Sequence, residues 1–216
     1  AGHSAAPSNG SPIRERVHPA EPAALPSAHD APPVANFDAL CTGDSQIASI
    51  VTRLKRVADA DVCVLLEGET GSGKEWFARA LHAASSRATK PFVAVNCASI
   101  PEGLIESELF GYEEGAFTGA RRRGQMGKVL AAKGGTLFLD EIGDMPMSMQ
   151  ARLLQERSVN PLGTSRSVPV DIKVIGATHR KLRTLIAEQR FREDLYYRLN
   201  GLTVRLPALR ERTDVE

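Results

Sequence analysis

Val62-Cys63-Val64-Leu65-Leu66 is an unbroken apolar run, and Gly68-Glu69-Thr70-Gly71-Ser72-Gly73-Lys74 follows it almost at once. A continuous apolar run this short reads as a strand buried on both faces, as in a parallel sheet covered by helices. The glycines then permit a tight turn whose successive backbone N–H groups converge on one point, and a helix opens behind them. Convergent amides at a helix N-terminus make a seat for phosphate, and Lys74 would reach the β- and γ-phosphates of a nucleotide. The position after the lysine is Glu75, where a hydroxyl that helps hold magnesium is expected. On this segment alone, a glycine-rich strand-to-helix turn remains the alternative reading.

The rest of the pattern agrees with an α/β domain. Ile47, Ile50, Val51, Leu54, Val57 and Ala58 recur at helical spacing behind Asp44, a candidate N-cap. Further strands are expected at Phe92-Val93-Ala94-Val95, Thr136-Leu137-Phe138-Leu139, Ile172-Lys173-Val174-Ile175 and Leu202 to Leu206, with helices near Trp76–Ala84, Pro101–Phe110, Met149–Arg157 and Phe191–Leu199. Alternating strands and helices predict three layers around a central parallel sheet. Residues 1–36 are rich in Ala, Pro and Ser and too poor in apolar groups to offset chain entropy, so they read as a disordered linker before a domain over 37–216. Without an initiator Met, and ending abruptly after Arg212-Thr213-Asp214-Val215-Glu216, the chain reads as part of something longer.

Beyond Gly134-Gly135, the strand ending at Leu139 delivers Asp140 and Glu141 at its carboxyl end, where open α/β sheets bind ligands. Asp140 can organise Mg2+, directly or through water, and Glu141 can orient and deprotonate an attacking water. With the glycine loop, these acids make ATP hydrolysis the strong reading. Between the two halves lies Gly115-Ala116-Phe117-Thr118-Gly119-Ala120, an apolar tip on a glycine-flanked loop that a nucleotide site does not need. Such a tip suggests a part pushed against a partner protein. A net charge of +1 carries no overall nucleic-acid footprint, which argues against a helicase. Cys41, Cys63 and Cys97 fit reduced thiols, with Cys63 and Cys97 as packing residues, and Trp76 is expected in the core. No apolar run approaches a membrane span, so the cytoplasm is the default.

Glu106-Ser107-Glu108-Leu109-Phe110-Gly111-Tyr112-Glu113-Glu114, running into Gly115–Ala120, resembles the signature of bacterial enhancer-binding proteins, the AAA+ ATPases that activate RNA polymerase carrying sigma-54. In that family glutamate after the P-loop lysine is usual, so Glu75 strengthens the resemblance. Val129 to Glu141 resembles the family's second nucleotide segment, and the similarity runs from about Leu40 to Glu216. The resemblance implies an AAA+ core ending before its helical lid, with ATP and Mg2+ as cofactors. It implies that Phe117 and Thr118 touch sigma-54, and that Asn96 is a switch residue engaging Glu141. Arg192 and Arg198 stand where the family places arginine fingers acting on a neighbouring subunit, which implies a hexameric ring. Without the resemblance, Phe191-Arg192-Glu193-Asp194-Leu195-Tyr196-Tyr197-Arg198 reads as a charged surface helix. Six residues apart, the two arginines do not share a helical face.

By the same resemblance His179 occupies the place of a polar sensor, often asparagine, with a solvated loop histidine as the alternative reading. Tyr112 and Glu114 differ from the commoner residues beside the loop. The helix after the acids is short by about three residues between Leu154 and Gln155, which would rotate the downstream chain by roughly 60°. That includes a second loop around Asn160-Pro161-Leu162-Gly163-Thr164-Ser165-Arg166, so coupling to polymerase is expected to be weakened while nucleotide binding survives. No helix-turn-helix is present, so DNA binding would need a domain absent here, and ring formation and turnover by this segment alone are expected to be low. A nucleotide-binding module with little turnover is the competing function class.

Overall fold

The computed structural model describes residue 2 and residues 36–41, 43–113, 124–153, 158–159, 161–163 and 168–213. The linker reading of residues 1–36 therefore lies almost wholly outside the described residues. After a single turn, α1 (Phe37–Leu40), comes α2 (Ser45–Arg56), N-capped as expected: Asp44 Oδ1 accepts from the N–H groups of Gln46 and Ile47. The core strands are β1 (Val64–Glu67), β2 (Phe92–Asn96), β5 (Thr136–Asp140), β8 (Lys173–Thr178) and β9 (Leu202–Arg205). They pair in the order β2-β5-β8-β1-β9, and every pairing is parallel.

Side chains alternate along these strands into two cores, one on each face of the sheet. Leu65, Leu137, Leu139 and Val174 join the larger core, under α4 (Glu102–Phe110), α5 (Lys128–Ala131), α6 (Met147–Leu153), α7 (Leu182–Ala187) and α8 (Glu193–Leu199). Val64, Leu66, Phe138 and Ile175 face the other core, with α2 and α3 (Lys74–Ala83). The result is a three-layer α/β domain. Each fully buried Leu or Phe contributes about 1.5–3 kcal/mol. Two small antiparallel ribbons, β3 (Gly111–Tyr112) with β4 (Gln125–Met126) and β6 (Ser158–Val159) with β7 (Val168–Pro169), stand apart from the main sheet. No described helix is long and apolar enough to cross a membrane.

Trp76 departs from expectation. It is 43% exposed, because α3 turns Phe77, Ala78, Ala80 and Leu81 inward and leaves position 76 on the outer face. Cys97 is buried, and burial pushes its thiol pKa up to about 12; Cys63 packs against the larger core. Both behave as packing residues.

One buried polar pair makes stability depend on pH. His82 lies against Phe92, with its Nδ1 2.9 Å from Thr136 Oγ1, and desolvation lowers its pKa. The fold thus favours neutral imidazole, whereas the unfolded chain titrates near ~6.5. The stabilisation is complete above that value and is lost as pH falls from it through the depressed folded pKa. Urea midpoints of the wild type should fall between pH 7 and 5 more steeply than those of His82→Gln. Parallel falls in the two proteins would contradict this assignment.

Candidate functional site

The parallel registers bring the expected site residues to one edge. Asn96 pairs with Asp140, and Glu67 pairs with both Thr178 and Arg205, so all five lie at the carboxyl ends of their strands. The loop Gly68–Lys74 leaves β1 at this edge and enters α3. Gly71 and Gly73 adopt φ of +84° and +86°, left-handed values that a side chain would oppose. Gly73 is the N-cap of α3 and offers no side-chain cap, so the first amides of the helix remain for a ligand. Ser72 Oγ is buried without a hydrogen-bond partner, an orphan that a phosphate oxygen would satisfy. Lys74 is buried, its Nζ donating to the carbonyls of Gly68 and Glu69 at 3.0 Å each and lying 3.8 Å from Glu141 Oε1. These residues fit a nucleotide phosphate.

Glu75 pairs with Arg79 one turn on, at 2.7–2.9 Å, so its carboxylate is engaged along the helix surface. Asp140 accepts the Glu141 N–H on Oδ1 at 3.0 Å. Burial, followed by the neighbouring Glu141 charge, raises the Asp140 pKa. A divalent cation near the two acids would relieve that unfavourable field, and Asp140 could offer it a carboxylate oxygen.

Glu141 itself sits at φ 50°, ψ 47°, one of two described non-glycine residues at positive φ. Its Oε2 accepts from the His179 backbone N–H at 3.2 Å and lies 2.6 Å from His179 Nδ1. His179 is thus bound to the candidate base rather than free in solvent. Asp144 contributes a third donor: one ligand atom from each of Glu141, Asp144 and His179 lies within 4.8 Å of the others. Arg180 already occupies Asp144, at 2.5 Å.

Asn96 lies beside these acids, yet its Oδ1 accepts from the N–H groups of Ala98 and Ser99, at 3.0 and 3.1 Å. In this arrangement it caps its own turn while His179 engages Glu141. Arg192 is the N-cap of α8, forked onto Asp194 at 2.7–3.0 Å. Arg198, in the last turn of that helix, lines a separate cavity with Asp61, Cys63 and Lys173, at the opposite ends of β1 and β8. The two arginines therefore do not converge. One contact had no signal in the pattern: Arg210, beyond β9, grips Glu69 of the glycine loop with two bonds of 2.6 and 2.7 Å. A cavity of about 680 Å³ opens beside it, lined by Gly68, His179, Arg183, Tyr196 and Leu206.

Comparison with known proteins decides the family. The sigma-54 interaction domain matches residues 40–205. The chain belongs to that family. It is 56% identical over 181 residues to the acetoin catabolism regulatory protein of Cupriavidus necator, covering 82% of this chain and 27% of that one. It is 51% identical over 180 residues to the transcriptional regulatory protein GlrR of Escherichia coli, covering 82% and 40%. The chain thus spans well under half the length of these curated relatives. Among solved structures, NtrX from Brucella abortus in complex with ADP superposes with a TM-score of 0.73 at 37% identity, over 80% of this chain and 38% of that one. The same protein in complex with ATP gives 0.72 at 36%, with the same coverage.

In this sigma-54 interaction domain, Glu114 and Gly115–Ala120, Phe117 and Thr118 among them, lie outside the described residues, as do residues 154–157, onto which the sequence extends the helix. The foot of the loop is described. The β3–β4 ribbon brings the backbones together so closely that a Cβ on Gly127 would collide with the Phe110 carbonyl carbon. Leu162, from the second loop, donates to the Gly111 carbonyl at 2.9 Å and accepts from Glu113 at 3.0 Å. A salt bridge from Arg152 to Glu106 joins α6 to α4, and Arg152 also lies over the Phe110 ring at 4.3 Å.

Proposed function

We propose that this chain is the ATP-hydrolysing domain of a transcription activator, and that it remodels RNA polymerase carrying sigma-54. Glu141 carries the reading: a carboxylate at a left-handed bend, between the phosphate-loop lysine and a histidine, next to a second acid at the strand end. A base so placed can take a proton from a water attacking the terminal phosphate, while Lys74 and the loop amides hold the charge that develops. Asp140 would hold Mg2+, which supplies charge neutralisation on the phosphates. NtrX, similar over most of this chain, has been solved with both ADP and ATP.

Arg192 acts as the finger on a neighbouring subunit's nucleotide, in a ring that is hexameric by resemblance; Arg198, which lines a separate cavity at the far ends of β1 and β8, does not share that contact. Asn96 exchanges its own turn for Glu141 as the nucleotide changes. The loop tip at Phe117 and Thr118 contacts sigma-54. The two backbone hydrogen bonds of Leu162, one donated to Gly111 and one accepted from Glu113, support joint motion of the two loops. Weaker coupling from the shortened helix before Gln155 remains part of the proposal. DNA binding is assigned to a domain outside this chain, and the cytoplasm to its location.

Retention of sigma-54 with a transition-state analogue of ATP tests the partner. Wild-type protein should hold sigma-54 in a pull-down, and Phe117→Ala should lose it while still binding nucleotide. Equal retention by both would refute the contact.

A further inference from the structure

Gln150 is completely buried in α6, and every polar atom of its amide is used. Its Nε2 donates to the Met145 carbonyl at 2.7 Å and to the Arg190 carbonyl at 3.1 Å; its Oε1 accepts the Arg192 N–H at 2.8 Å. A fully satisfied buried amide is rigid, because any displacement leaves a polar group unpaired at about 1–3 kcal/mol.

The places it touches are not ordinary. Among the described residues only Glu141 and Gln189 combine a side chain with positive φ, at 50° and 58°. Met145 closes the short 3-10 turn that Glu141 begins; Arg190 follows directly on Gln189, and Arg192, three residues after Gln189, is the N-cap of α8. One side chain therefore braces the exits of both strained bends. Strain of this kind persists only where the surroundings over-determine it. The first bend carries the candidate base, and the second leads into Arg192 at the start of α8.

We propose that Gln150 is a positioning residue that ties the Glu141 bend to the Arg192 bend, so that a subunit presents its arginine in a geometry set by its own acidic segment. The inference rests on the proposed role of Arg192 towards a neighbouring subunit. Gln150 touches neither nucleotide nor reacting atoms and acts through the backbone of residue 192.

The test uses the full-length protein. Gln150→Met keeps the volume and removes all three bonds. It should lower kcat by ~10²-fold with KM for ATP unchanged, the signature of a group misplaced only at the transition state. Mixing then locates the defect. Glu141→Gln subunits have silent sites but correctly held arginines, so adding them to Gln150→Met subunits should restore turnover at the neighbouring sites. Arg192→Ala mixed with Glu141→Gln is the control and should also recover. Recovery in the control alone would overturn the inference, as would full activity of unmixed Gln150→Met. No recovery in the control would refute the neighbouring-subunit role of Arg192, and this inference with it. Should Gln150→Met fail to fold, Gln150→Glu retains the acceptor for Arg192 and replaces the two donors. If neither variant folds, the amide belongs to core stability alone and the proposal fails.

Discussion

Glu141→Gln should cut phosphate release by about 10²–10⁴-fold, the usual contribution of a general base, while leaving ADP affinity unchanged. Glutamine preserves the size of the side chain and can still bond His179, but it cannot accept the proton of an attacking water. The affinity should survive because the loop amides and Lys74 grip phosphate independently of the carboxylate. The left-handed bend sharpens the expectation, since positive φ at a non-glycine residue costs roughly 1–3 kcal/mol and clusters at functional positions. Single-turnover release of phosphate, paired with ADP titration, separates the two quantities. A loss of less than about tenfold would move the proton-accepting role elsewhere, with His179 the first candidate by its contact.

The second large effect concerns stability. Lys173 opens β8 at the end of the sheet away from the nucleotide loop, and it is buried. Its ammonium donates to the carbonyls of Val57, Ala58 and Ala60, at 2.7, 2.6 and 3.2 Å, so it caps the C-terminal end of α2 from the neighbouring sheet. Burial lowers its pKa, which shows the cost of hiding the charge; three short bonds offset that cost. In Lys173→Met the charge is gone, but three carbonyls lose their donor. The bonds outweigh the relieved desolvation, because a charged donor contributes about 1.5–3 kcal/mol per bond and all three positions are filled. A net loss of about 3 kcal/mol should lower Tm by roughly 6–12 °C in a chain of this size. An unchanged Tm, measured by calorimetry, would show that water replaces the ammonium without penalty.

What was legible in the sequence was what is local. Val62–Leu66 announced β1, and the glycine loop fixed the strand-to-helix turn, because both signals lie within a dozen residues. Lys74, Asp140 and Glu141 could be named as neighbours because each sits at a strand end whose direction the parallel sheet dictates. Small residues blurred the edges: β8 runs on through Gly176 and Ala177, which carry little strand propensity yet pack in the central strand of the sheet. α7 is a six-residue helix with only Leu182 and Leu185 buried, too short for a periodic signal to stand out. Trp76 was misplaced because hydrophobicity alone does not say which face of a helix looks inward. The site's supports were invisible for a different reason. Gln150 and Arg192 lie 42 positions apart, and Arg210 and Glu69 lie 141 apart, so neither pair leaves a pattern that one sequence can display.

The account depends on nucleotide phosphate being held by the loop between β1 and α3. Titration of fluorescent ADP into wild-type protein and into Lys74→Ala tests this most directly. Affinity should fall about 10²-fold in the variant, the equivalent of one or two charged hydrogen bonds, with circular dichroism unchanged. Equal affinity in the two proteins would place the nucleotide elsewhere and contradict the assignment.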